Sequence, residues 1–137
     1  KGHFALLAAS SMQQYSGHVW TADPIDHGWT SYITENKLDD VIHFVNDDFS
    51  KVADHVADAT ADFAFIDSGP PFSVPHGGWD DGVRFRHYEI AKRLVKRGGI
   101  IVTDDVNMID WDGCEQIRAE ATLLLKGGRG LAIRIQS

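Results

Sequence analysis

The sequence predicts an α/β fold: a mostly parallel sheet with helices on both faces, closed at its C-terminal end by an antiparallel hairpin. Three observations carry this. Four short β-rich runs alternate with stretches of helical periodicity, the order that yields parallel strands joined by right-handed crossovers. Two of the runs, Phe63-Ala64-Phe65-Ile66 and Ile100-Ile101-Val102, hold apolar residues at consecutive positions, which suits strands buried on both faces. Near the end, Leu131, Ile133 and Ile135 alternate with Ala132 and Arg134, the period of a half-exposed strand.

Taken in order, residues 3–14 carry Phe4, Leu7, Ala8 and Met12 at helical spacing, and residues 18–22 form the first strand. Residues 30–37 suit a short helix and 41–45 a second strand. Residues 50–56 read as a further helix, with Asp48 or Ser50 as its N-cap. The third strand covers 63–66. Residues 68–79 hold Gly69, Pro70, Pro71, Pro75, Gly77 and Gly78, and a loop this long inside a domain is more often functional than idle. The clearest helix spans 81–96, where Val83, Ile90, Ala91, Leu94 and Val95 share one face and Gly98-Gly99 ends it. The fourth strand covers 100–103. Residues 121–125 and 131–136 form the hairpin around Gly127-Gly128-Arg129-Gly130. That turn lacks the Lys-Ser/Thr pair and following helix of a phosphate-binding loop.

Length and composition bound the function. With 137 residues and 15.2 kDa, residues 1–137 are expected to form one domain. The 43% hydrophobic and 24% charged content excludes a disordered tail or a fibre. No apolar run reaches the roughly 18–20 residues that span a bilayer, so a membrane partner is not expected. The single cysteine, Cys114, excludes a disulfide framework and points to a reducing, cytoplasmic setting. Twenty acidic residues against thirteen basic give a net charge of −7, which disfavours nucleic acid as a partner. The chain opens on Lys1 rather than methionine, as expected of a processed, trimmed or partial chain.

In open α/β sheets, ligands sit beyond the carboxyl ends of the strands. Those ends are acidic here: Asp23, then Asp47 and Asp48, then Asp67, then Asp104 and Asp105. If the strands before Asp67 and Asp104 are neighbours, three carboxylates share one crevice and repel unless a cation or a proton is shared. Oxygen-only ligands favour Mg²⁺, with Ca²⁺ or Mn²⁺ as alternatives. The plainer reading is that each acid caps a turn. Asp23 suits the ribose of a nucleoside, since one carboxylate accepts from two hydroxyls, or a turn before Pro24. Asp47 or Asp48 suits an adenine amino group or helix capping. His76 and His87 flank the acidic crevice in sequence and are candidate bases or ligands, or surface residues. Trp20, Trp29, Trp79 and Trp111 suit stacking on a flat ligand or core packing.

Together these residues resemble a class I S-adenosylmethionine-dependent methyltransferase, with its Rossmann-like fold. Gly2-His3-Phe4-Ala5-Leu6-Leu7-Ala8 is similar to the end of the family's glycine-rich loop and the helix after it. Val19-Trp20-Thr21-Ala22-Asp23 is similar to the second strand with its ribose-binding acid. Residues 62–67 and 94–106 are similar to the fourth and fifth strands, and the hairpin to the sixth and seventh. The resemblance implies a cofactor site at Gly2, Asp23, Asp47, Asp48 and Asp67. Within the family, Asp67 with Asp104-Asp105 resembles the metal-dependent small-molecule O-methyltransferases of the catechol and macrocin type. That implies Mg²⁺ on Asp67, Asp104 and Asp105, a hydroxyl on a small molecule as acceptor, and His76 or His87 as base.

Two departures accompany the resemblance. The catechol group has a lysine three residues past its first metal acid, where this chain has Pro70. The first strand and nearly all of the glycine-rich motif do not precede Gly2. Further upstream residues, a strand lent by a partner as in a homo-oligomer, or loss of catalysis would each account for this. Two rivals stay open: a non-catalytic remnant or assembly module of a nucleotide-binding fold, and a metal-dependent glycosyltransferase. The latter ordinarily uses an Asp-x-Asp arrangement, which Asp104-Asp105 is not. A phosphorelay receiver domain is excluded because too little chain follows Asp105.

Overall fold

A computed structural model describes residues 3–12, 16–68, 82–108 and 111–137. The chain divides into two compact units, residues 1–55 and 56–137.

The first unit holds α1 (His3–Met12), β1 (Val19–Ala22), α2 (Trp29–Glu35), β2 (Ile42–Val45) and a 3₁₀ helix (Phe49–Asp54). β1 and β2 pair in parallel, with Val19 opposite Ile42 and Trp20 opposite His43. Alternation then sends Val19, Ile42 and Phe44 to one face, where they pack with Ala9 of α1 and Ile33 of α2. Trp20 and His43 face the other way, where His55 stacks on Trp20. Asp26 accepts the Trp29 and Thr30 amides (2.6 and 3.3 Å), satisfying two free N–H groups at the start of α2. Asp48 caps the 3₁₀ helix by accepting from the Ser50 amide at 2.9 Å, one of the two caps expected there.

The second unit is a four-stranded sheet in the order β3-β4-β6-β5. β3 (Ala61–Ile66) and β4 (Val95–Asp104) run parallel, while β6 (Leu131–Ile135) is antiparallel to both β4 and β5 (Leu123–Leu125). The C-terminal hairpin therefore lies where the sequence puts it. α3 (Val83–Leu94) and α4 (Cys114–Glu120) pack on one face, over Ile66, Ile101, Thr103 and Ala132, all at most 3% exposed. The opposite face presents Phe63, Ile100, Leu123, Leu125 and Ile135, each 41–53% exposed.

Three details differ from the sequence reading. α3 stops at Leu94, and Val95 already pairs with Ala61, so Gly98-Gly99 lie inside an irregular stretch of β4 rather than after a helix. Gly98 takes φ +81°, and a Cβ on Gly99 would stand 2.8 Å from the Asp62 carbonyl. The buried stripe of α3 is Val83, Arg84, His87, Tyr88, Ala91 and Leu94, three of them polar or charged. α4 has no counterpart among the sequence-predicted elements. Among the described residues, no helix is long and apolar enough to cross a membrane.

Candidate metal and cofactor site

The ends of β3 and β4 build the centre of the second unit. Parallel pairing puts Ile66 beside Thr103, so the next residues, Asp67 and Asp104, leave the sheet side by side. Asp105 turns back with φ +59°, a left-handed backbone rarely adopted outside Gly, Asn and Asp. Its amide donates to Asp104 Oδ1 at 2.8 Å. One carboxylate oxygen each from Asp67, Asp104 and Asp105 lies within 4.8 Å of the others. The convergence expected from the sequence is present.

Two guanidinium groups keep these charges tolerable. Arg84, 1% exposed, points from α3 into the cluster. Its Nη2 stands 3.5 Å from Asp105 Oδ2 and 3.9 Å from Asp67 Oδ1, and its Nη1 donates to the Asp104 carbonyl. The Trp111 ring lies 4.6 Å from the guanidinium carbon, a cation–π contact that holds the buried charge from the other side. Arg129, on the hairpin turn, places Nη2 2.8 Å from Asp105 Oδ2. Burial pushes the Asp67 carboxyl above its ordinary range; Arg84 pulls it down, and Asp104 and Asp105 add to the rise. Burial likewise lowers the Arg84 guanidinium against the pull of Asp105 and Asp67.

Three carboxylates against two guanidiniums leave one negative charge. The donors are all hard oxygens, and Asp67 is 59% exposed, which leaves the cluster open on one side. This donor set fits an ion of the Mg²⁺ class. Arg129, 65% exposed, is the cation most easily displaced from it.

The other candidates fall as follows. Buried His87 bonds through Nδ1 to Ser68 Oγ at 2.5 Å, which links α3 to the residue after Asp67. In the first unit, Asp23 follows β1; its Oδ1 accepts from the Ile25 amide at 2.9 Å and its Oδ2 lies 3.9 Å from His27 Nε2. Its turn role is thus met while acceptor capacity remains. Asp47 accepts from the Asp48 amide at 2.7 Å and is exposed. Gly2, His76, Trp79 and the loop from Gly69 to Trp79 lie outside the described residues. Sequence reasoning missed Arg84, Trp111 and Arg129 as parts of the acid cluster.

Comparison with known proteins bears on the fold and the family. The family described as "Methyltransferase domain" matches residues 1–106. A crystal structure of a Corynebacterium glutamicum protein shares the fold, with a TM-score of 0.61 and 17% identity over 88% of this chain and 61% of that one. This chain thus spans less than two thirds of that protein's length. No curated protein matches the sequence. A profile match over most of the chain, on a Rossmann-like α/β arrangement of strands and helices, makes this chain a member of the methyltransferase domain family.

Proposed function

We propose that the chain forms part of an S-adenosylmethionine-dependent methyltransferase acting on a hydroxyl oxygen of a small molecule, with a divalent cation held by Asp67, Asp104 and Asp105. The observation that supports this reading is the meeting of these acids at the ends of two parallel strands. The cofactor would supply an electrophilic methyl group, and the cation would lower the acceptor's pKa and fix its orientation.

The chain's own residues have distinct tasks in this reading. Asp23 accepts from the ribose hydroxyls, with Gly2, Asp47 and Asp48 as the other cofactor contacts of the first unit. Asp48 has the least freedom, because its side chain already caps a helix. Arg84 holds the three acids in register without occupying their open side. The departing proton goes to a histidine, His76 or His87. For His87 the path runs through Ser68 Oγ, its hydrogen-bond partner. The net charge of −7 favours a small acceptor over nucleic acid.

Thermal shift with S-adenosylhomocysteine tests the cofactor half. Stabilisation is expected, and Asp23→Ala should weaken binding by roughly 1.5–3 kcal/mol, the range for hydrogen bonds to a charged group. No shift in the wild-type chain would overturn it. Methyl transfer to a catechol or sugar hydroxyl, assayed with and without EDTA, tests the metal half. Full activity in EDTA would overturn that half alone.

A further inference from the structure

The first unit carries a nitrogen-donor pair unrelated to the acidic cluster. His18 immediately precedes β1 and His43 lies in β2. His18 is two residues from Trp20, and Trp20 is the register partner of His43, so all three side chains leave the same face of the sheet. His18 Nδ1 and His43 Nε2 stand 3.0 Å apart, with ring centroids at 5.2 Å. Trp20 lies against His43 at 4.5 Å, and His55 stacks on Trp20 at 5.1 Å. The His43 ring is therefore held by its neighbours, whereas the His18 side chain is exposed.

We propose that His18 and His43 form a bidentate imidazole site for a divalent transition-metal ion, Cu²⁺, Ni²⁺ or Zn²⁺. Metal–imidazole bonds are about 2.0–2.1 Å long, and two of them meeting a little above a right angle put their nitrogens about 3 Å apart. The observed separation already has this bite. Without metal, one ring donates N–H to the other's lone pair. To bind, the donor ring moves that proton to its second nitrogen, so that both facing nitrogens offer lone pairs. Imidazole selects these ions over Mg²⁺, which separates this site from the carboxylates of the second unit. Water completes the coordination. The bound ion would clip the lead-in of β1 to β2.

The test is titration of the metal-free chain with Cu²⁺ at pH 7.5 in millimolar Mg²⁺, followed by electron paramagnetic resonance and calorimetry. One equivalent with splitting from two nitrogens is expected. His18→Ala and His43→Gln should each cut affinity at least tenfold, with His27→Ala unchanged. Excess free imidazole should compete for the ion and weaken binding at least tenfold. His18→Ala alters only an exposed side chain, and circular dichroism verifies its fold. Unchanged affinity in a folded His18→Ala chain, or binding that His27→Ala abolishes equally, would overturn the site.

Discussion

Arg84 and Asp105 are buried together, 1% and 5% exposed, with Arg84 Nη2 3.5 Å from Asp105 Oδ2. A guanidinium inside a protein persists only where charge and hydrogen bonding compensate its lost hydration. Here the compensation comes from β3, β4, the segment after β4 and Trp111, so one side chain ties α3 to the whole centre.

Arg84→Met should therefore destabilise the protein by about 3–5 kcal/mol, because it leaves Asp105 buried with only the exposed Arg129 as partner. Arg84→Lys should recover little, since an ammonium cannot serve two carboxylates and a carbonyl in one plane. Urea unfolding midpoints measure both; a wild-type midpoint for Arg84→Met would contradict the account.

Arg129 competes with any cation for Asp105 Oδ2. Arg129→Ala should tighten Mg²⁺ binding several-fold while changing stability by less than about 1 kcal/mol, because the arginine is largely exposed. Asp104→Asn should weaken Mg²⁺ binding. Calorimetric titration of the two variants would then move in opposite directions.

Glu120 gives the second unit a pH dependence. Desolvation pushes its carboxyl up, but hydrogen bonds from Lys92 and Tyr88 and the charges of Lys92 and Arg134 outweigh this and hold it below its ordinary 4.5. The folded state thus binds this proton less readily than the unfolded chain. The resulting stability is present above 4.5 and is lost as pH falls through the folded value. With Glu120 about one-third exposed, the effect is below about 1 kcal/mol. Glu120→Gln should flatten the acid limb of a stability–pH curve; a curve parallel to wild type would refute this.

Gly130 sits at φ +83°, where a Cβ would stand 2.5 Å from Cγ of Asn107. Asn107 cannot retreat freely, because its Nδ2 donates to the Lys126 and Gly128 carbonyls. Gly130→Ala should cost about 1–3 kcal/mol through strain and overpacking. Denaturant titration checks it, and Gly127→Ala, which meets open space, is the control.

The acids at the strand ends were legible in the sequence because short apolar runs locate strands, and the residues after them follow by counting. The parallel pairing of Ile66 with Thr103 turned that count into proximity. Arg84 was not legible. On a helix, a charged residue reads as solvent-facing, and only the carboxylates it meets from distant segments reverse that. Tyr88 was hidden in the same way, bonded to Glu120; His87 was named as a candidate base, but its bond to Ser68 was not legible. α4 escaped because seven residues, with Cys114 and Ile117 alone buried, carry too few apolar positions to show a period. The start of β4 at Val95 escaped because Gly98-Gly99 ends helices as readily as it bends strands.

The left-handed backbone of Asp105 narrows which amino acids that position can accept. Any residue there must tolerate φ +59° and also supply a counterion for Arg84. Asparagine meets the first demand and fails the second; glutamate carries the charge but is less favoured at this φ. Aspartate meets both demands at the least strain, so conformation and charge act on position 105 as two independent filters.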